Sequence, residues 1–311
     1  EMVKFDYTRR FAVGVVAGSS VLGMLIPPSV MLIIYSFVAE QSVGQMFIAG
    51  IIPGLLLSAA YAIGIRLMAT YALGVVGKGG LSGQELVAGD RDDLMSFTEM
   101  FIRLVPVMFL ILVVLGGIYG GVVTPTEAGA AGALLAVLIG VLRRRFGWEE
   151  LKSTLVDTGH ITASILFLII TASMYSRMLG VAGLPTLFGD WLSSIDLSFA
   201  AVMVLYVILL IFLGTILDTA SIILIVVPLF LPAIEAFGGD LVWFGIVTVI
   251  GAEIGLLTPP LGISCFVIKS TINDPRVTLF DVFAGAFPFA VIMLIVLIAV
   301  IAFPSLSLVL L

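Results

Sequence analysis

Of 311 residues, 61% are hydrophobic and only 11% charged, against an apolar share of about 45–50% in soluble domains. With a mean hydropathy of +1.28, the chain is excluded from the ordinary soluble class and reads as an all-α polytopic membrane protein. The formal charge of -6 says little about partners, because the charges are confined to loops and a few buried positions. One cysteine, Cys265, excludes an intrachain disulfide and a Cys-rich metal site, and reads as a small packing residue. One histidine, His160, stands beside Asp157 at an expected helix end, with no partners for catalysis or metal binding.

In chain order, apolar spans are predicted at 11–39 (broken near 23–28), 46–73, 100–123, 126–142, 155–180, 198–214, 221–236, 242–270 (broken near 254–260) and 279–303. Glu1 to Arg10 reads as a connecting loop. The first break is Gly23-Met-Leu-Ile-Pro-Pro-Ser29 and the second Gly255-Leu-Leu-Thr-Pro-Pro-Leu261, offset by 232 residues. Phe47-Ile-Ala-Gly-Ile-Ile-Pro53 then matches Val282-Phe-Ala-Gly-Ala-Phe-Pro288 at an offset of 235. Two matches in one order predict an internal repeat. The second repeat is preceded by a hydrophobic run from Ser198 to Ala236 that the first lacks, so upstream residues are expected to precede Glu1.

Basic residues mark cytoplasmic loops. Lys4, Arg9 and Arg10 are placed inside, the 40–45 loop outside, Lys78 and Arg91 inside, the Thr124-Pro125 corner outside, and Arg143 to Arg145 with Lys152 inside. Beyond 180 the alternation holds only if 198–214 and 221–236 form a re-entrant hairpin that enters and leaves on the outer face. Span 242–270 then runs inward and delivers Lys269 and Arg276 to the cytoplasm. The two broken spans become antiparallel, the arrangement of an inverted repeat.

Paired prolines remove two N–H donors, so carbonyls near Glu253 to Leu257 lose their partners. In hydrocarbon such backbone is tolerated only where it is buried in protein or lines a polar cavity. Broken helices at the midplane are how many secondary transporters hold a substrate and its coupling cation. The hairpin tip, Gly214-Thr-Ile-Leu-Asp-Thr-Ala-Ser221, offers hydroxyls, carbonyls and the Asp218 carboxylate to a hard cation such as sodium. Helix N-termini at the same depth would favour an anionic group on the substrate. Asp218 and Ser221 also fit a plain helix cap, and Glu253 fits a hydrogen-bonded brace as well as an ion ligand. Thr124, Pro125 and Glu127 fit a capping box. Gly116, Gly117, Gly120 and Gly121, with Gly129 and Gly132, would permit close helix packing. Asp90 to Asp93 reads as a solvated loop.

Gly116 to Ala128, Leu217-Asp218 through Pro228-Leu-Phe-Leu-Pro232, Trp243-Phe-Gly245, Glu253 to Gly262, and Gly23 to Ser29 followed by Glu40-Gln-Ser closely resemble the large membrane subunit of tripartite ATP-independent periplasmic (TRAP) transporters. The resemblance covers nearly the whole chain. It implies the elevator fold of the ion-transporter superfamily, with inverted repeats, broken helices and re-entrant hairpins, in a multi-pass subunit of the bacterial inner membrane. It implies sodium-coupled import of an organic acid such as a dicarboxylate or sialic acid, a small four-helix membrane subunit, and a periplasmic binding protein as partners. No cofactor is expected beyond sodium, and no enzymatic activity.

On this reading 1–39 ends the first transport-domain repeat, 40–99 holds a scaffold helix and loop, and 100–180 the central helices. The second hairpin and broken helix occupy 181–275, and a C-terminal scaffold helix 276–311. One sodium site is expected at Gly214, Thr215, Asp218, Thr219 and Ser221 with Glu253, Gly255 and Thr258. The other is expected at Ser19, Ser20 and Gly23. Substrate is expected at Ile26, Pro27, Pro28 and Ser29 with Thr258, Pro259, Pro260 and Gly262. A proton-coupled or binding-protein-independent anion carrier and a channel are the alternatives; an enzyme would need a nucleophile with a base or a metal cluster.

Overall fold

The computed structural model describes residues 2–77, 97–143, 146–194, 197–272 and 274–311. Among them the regular structure is helical: α1 (Arg9–Leu25), α2 (Val30–Val38), α3 (Val43–Tyr71), α4 (Leu73–Val76), α5 (Phe97–Tyr119), α6 (Pro125–Leu142), α7 (Trp148–Val181), α8 (Leu184–Ser194), α9 (Phe199–Gly214), α10 (Thr219–Ala236), α11 (Leu241–Leu256), α12 (Ile263–Thr271), α13 (Leu279–Ala302) and α14 (Ser305–Leu308). Five of these helices are long and apolar enough to cross a membrane, or six when the α1–α2 pair, bent by 44°, is taken as one span. The chain is thus a multi-pass helical membrane protein. The acidic stretch Asp90 to Asp93, with Lys78, Arg91, Arg144 and Arg145, lies outside the described residues.

Two compact units are present, Glu1–Glu85 with Ala172–Leu311, and Leu86–Thr171. In the second, Thr124 caps α6: Glu127 N donates to Thr124 Oγ1 (3.3 Å) while Thr124 N donates to Glu127 Oε2 (2.8 Å), with Pro125 opening the helix. Of the glycines at this corner, Gly132 lies against Val114 of α5 and Gly117 against Val123, whereas a Cβ at Gly116, Gly121 or Gly129 would meet open space. His160 corrects the sequence expectation. It lies exposed inside α7, twelve residues from its start, because the apolar run that suggested a span from 155 is extended backwards by the helix-forming Trp148-Glu-Glu-Leu-Lys.

In the larger unit one element order occurs twice. α1, a proline break, α2 and the long α3 match α11, a proline break, α12 and the long α13. Both long helices carry an internal proline, Pro53 and Pro288, and the Pro27-Pro28 and Pro259-Pro260 bonds are both cis. α3 runs antiparallel to α1: Thr8 N bonds Val76 O (2.8 Å) just past the end of α3, while the break beside Leu25 lies against Gly50 and Gly54. α13 instead runs parallel to α1, with Gly14 on Gly285 and Gly18 on Phe289. The contact is backbone on backbone, since a Cβ at Gly14 would stand 2.1 Å from Gly285 O and one at Gly285 2.1 Å from Arg10 O. Such closeness substitutes dispersion between main chains for the hydrophobic drive that lipid does not supply.

Among the described residues, the buried polar side chains of this unit are paired, Ser307 Oγ excepted. Tyr35 donates to Leu241 O (2.6 Å), Trp243 Nε1 to Val300 O (2.9 Å) and Thr248 to Phe244 O (2.7 Å), with Tyr206 beside the Thr248 hydroxyl (2.8 Å). α8, an amphipathic helix not foreseen beyond the span ending at 180, packs on α10 through Phe188 and Phe230 (5.0 Å between ring centres). Gly183, Pro185 and Gly189 mask its periodicity in the sequence.

Between α12 and α13, Asp274 receives Arg276 Nε (2.9 Å) and Arg9 Nε (3.1 Å), tying the start of α1 to the end of the second broken helix. The Arg276 side chain foremost, then its backbone N–H, and more weakly Arg9, hold the Asp274 carboxyl well below the usual carboxylate range. A depressed value means that the contribution is complete above the ordinary carboxylate pKa of about 4 and is lost as pH falls towards the depressed one. Screening keeps it small. The gap in thermal midpoint between the wild type and Asp274→Asn should stay level above about pH 5 and close below about pH 4; a gap that widens in acid would contradict the pairing. At the helix crossing, Gly285→Val should cost at least ~1–3 kcal/mol, the usual range for overpacking, while Gly129→Ala, facing open space, should be neutral or slightly stabilising. Thermal unfolding in detergent distinguishes the two.

Candidate functional site

α9 ends at Gly214 and α10 begins after Asp218, leaving a four-residue tip. Gly214 and Gly255 of α11 touch through their main chains: a Cβ at Gly214 would lie 2.6 Å from Ala252 O, and one at Gly255 2.5 Å from Gly214 Cα. Two hydrogen bonds fix the register of this seam. Thr219, on the first turn of α10, donates to Glu253 Oε1 (2.7 Å), both residues being buried, and Gly262 N donates to Thr215 O (3.0 Å). The second bond reaches across the break, so the tip holds both of its ends. Gly262 sits at φ 48°, a left-handed position that its missing side chain permits.

The last turn of α11 tightens before it breaks. Leu257 N donates to Ile254 O (3.2 Å), Thr258 N to Gly255 O (2.9 Å), and the Thr258 hydroxyl to Ile254 O (2.7 Å). The Leu256 carbonyl has no such recourse, because the residues three and four ahead are Pro259 and Pro260. In the first repeat the equivalent Met24 carbonyl faces Pro27 and Pro28, and there the Ser29 hydroxyl donates to it. Leu261 stands where Ser29 would be, and among the described residues no side-chain donor replaces it. The second break therefore presents a buried main-chain oxygen that the first one satisfies internally. The asymmetry was present in the aligned heptads but hidden by the likeness of the two Pro-Pro pairs.

Gly214, Thr215, Thr219, Glu253, Gly255 and Gly262 are thus assembled in one buried place, with Thr258 at its margin. Asp218 and Ser221 form the cap of α10: the Asp218 carboxylate accepts from Ser221 N (3.2 Å) and from the Ser221 hydroxyl. Asp218 is exposed. In the first repeat, Ser19 and Ser20 are exposed and turned back on their own helix, to Val16 O (3.2 Å) and Ala17 O (2.8 Å), and a Cβ at Gly23 would meet open space. Pro27 and Ser29 are buried, Ile26 and Pro28 exposed, and Ile26 packs by Gly54. Thr258 and Pro259 line an apolar cavity of about 500 Å³ with Ile254, Phe283 and Phe287; none of Ile26 to Ser29 reaches it. Pro260 is exposed. Cys265 is buried, its thiol directed at Leu257 O (3.8 Å). No group of three or more His, Cys, Asp or Glu residues able to hold a metal occurs among the described residues.

A helical membrane protein with paired proline breaks and a hairpin tip sealed onto one of them belongs structurally with membrane transport proteins. Comparison with known proteins gives the family. The sequence profile of the tripartite ATP-independent periplasmic transporter, DctM component, matches residues 1–306, and the chain belongs to that family. It is 32% identical over 308 residues to the C4-dicarboxylate TRAP transporter large permease protein DctM of Pseudomonas aeruginosa, covering 99% of this chain and 69% of that protein. It is 32% identical to the sialic acid permease SiaM of Vibrio cholerae (98% and 68% covered) and 31% identical to the ectoine permease TeaC of Halomonas elongata (99% and 69% covered).

Removing the donor to Glu253 tests the brace. Thr219→Val leaves a buried carboxyl oxygen without its partner and should cost ~1–3 kcal/mol, whereas Glu253→Gln, which keeps an acceptor at that point, should cost less. Unfolding of both variants in nanodiscs measures the difference; equal losses would show that the Thr219 bond is not what Glu253 contributes.

Proposed function

We propose that the chain is the transport subunit of a sodium-coupled secondary importer of the bacterial inner membrane, working by an elevator movement with a small membrane subunit and a periplasmic binding protein. It takes an organic acid or related polar solute as cargo. The observation that carries this reading is the unpartnered Leu256 carbonyl, buried beside the sealed tip of Gly214 to Thr219. An uncompensated main-chain oxygen costs free energy in a membrane interior, and a small hard cation offsets that cost while adding positive charge for an anionic solute. Relatives named for C4-dicarboxylates, sialic acid and ectoine are 31–32% identical to this chain, which supports a carboxylate-bearing cargo.

Helix directions support the inverted repeat, since α13 runs with α1 whereas α3, its repeat mate, runs against it. The re-entrant hairpin is supported by α9, whose 16 residues extend about 24 Å, short of a core of about 30 Å. The second sodium site, at Ser19, Ser20 and Gly23, remains part of the proposal as the counterpart in the first repeat. A proton-coupled carrier is the second reading, favoured by the buried Glu253.

The test is uptake of a labelled organic-acid panel into proteoliposomes containing the subunit at its natural length with its small partner, with and without a sodium gradient and the binding protein. Uptake should require both. Leu261→Ser, which places a hydroxyl where Ser29 stands in the first repeat, should raise the sodium concentration for half-maximal uptake several-fold by occupying the Leu256 carbonyl. Asp218→Ala and Thr258→Ala should weaken sodium-dependent uptake with assembly intact. Uptake indifferent to the gradient would overturn sodium coupling, and normal sodium dependence in all three variants would overturn the site.

A further inference from the structure

The C-terminal end of α2 is closed by an unusual residue. Gln41 N bonds Ser36 O (2.8 Å) and Ala39 N bonds Tyr35 O (2.9 Å), the capping turn in which the following residue is left-handed and glycine is the usual occupant. Glu40 occupies it at φ 54°, a backbone cost that glycine would avoid. Glu40 so placed lines a cavity of about 620 Å³, together with Gln41, Ser176 and Arg177, and with Leu224 and Pro228 of α10 as apolar wall. All of these residues belong to one compact unit. The ion pairs among the described residues are both made by Asp274, so Arg177 and Glu40 share a recess without neutralising each other. Gln41 commits its amide nitrogen to Ala39 O (2.9 Å), which leaves its side-chain oxygen to accept.

A recess holding one unpaired cation, one unpaired anion and neutral acceptors complements a molecule of the same make-up. A carboxylate on the ligand meets the planar fork of Arg177, and a hydroxyl or cationic group meets Glu40 and Gln41. A compact dicarboxylate satisfies Arg177 but brings its second charge against Glu40. The recess is linked to the breaks by the helices that line it. α2 leads back over nine residues, about 13 Å, to Ser29, and α10, packed beside it, leads back from Leu224 to the tip. We propose that this recess is an entry site for the cargo, selecting hydroxylated or zwitterionic monocarboxylates over compact dicarboxylates before they reach the breaks. The inference rests on the transport reading for its purpose, not for its chemistry.

The experiment is therefore a binding measurement that needs no transport. The natural-length subunit, purified with its small partner in nanodiscs, is titrated calorimetrically in sodium-free buffer, where the sodium-coupled site is disabled, with sialic acid, ectoine and succinate. Sialic acid and ectoine should bind more tightly than succinate. Arg177→Gln should weaken all three at least tenfold, and Arg177→Lys should restore binding to within about threefold of wild type by keeping the charge but losing the fork. Glu40→Gln should narrow the gap between succinate and the other two. Gel filtration establishes that the variants stay assembled. Absence of sodium-free binding in the wild type, binding unaffected by Arg177→Gln, or preference for succinate would each overturn the proposal. Failure of sodium-driven uptake with this binding intact would overturn the transport reading alone.

Discussion

Proline has no N–H, so a helix that meets two prolines in succession leaves carbonyls three and four residues back without ladder partners, and in a membrane no solvent replaces them. This chain meets that constraint twice and resolves it differently each time. At the first break, Ser29 turns its hydroxyl onto Met24 O and at the same time accepts from Leu32 N (3.4 Å), so one residue ends α1 and starts α2. At the second, Leu261 offers nothing, Gly262 starts α12 by conformation alone, and the hairpin tip is brought in from α9 and α10 to hold the loose end through Thr215 O. The placement of Thr219 against Glu253, and of Gly214 against Gly255, follows from having to bring a second backbone that close.

Packing in the larger unit follows from the same absence of water. Lipid is as apolar as leucine, so burying leucine gives little reason for helices to associate; main-chain proximity and internal hydrogen bonds supply it instead. Gly14 stands on Gly285, and Gly245 against Tyr35 and Met46. Each lets a helix of one repeat approach the other repeat closely, and Trp243, Tyr35 and Thr248 then spend their polar atoms on carbonyls within reach.

Much of this was legible in the sequence because it rests on residues with few conformational options. Proline pairs fixed both breaks to within a few residues, Thr124-Pro-Thr-Glu fits a helix start, and the length of the apolar runs defined the long helices. α8 escaped because its amphipathic pattern is short and interrupted by glycine. His160 was misplaced because hydropathy marks where a span becomes apolar, not where its helix begins, and α7 starts in polar sequence. The tip and the second break could be named together from composition, but the partners within them could not. Thr219 reaches Glu253 across 34 residues, and no local periodicity encodes that distance. Ser19 and Ser20 could likewise be placed beside the first break from sequence, but not the carbonyls one turn back, Val16 O and Ala17 O, to which their hydroxyls donate.

The glycine seam also bears on how such a protein can change over time. Because Gly214 and Gly255 each exclude a side chain on the other, neither position can accept alanine first and wait for a compensating change opposite, since the opposite residue has nothing left to shed. Most core contacts drift by trading volume between neighbours. Here both partners already stand at the lower limit of size, so the seam offers sequence no intermediate, and the tip and the broken helix are held together by what cannot be added as much as by what is there.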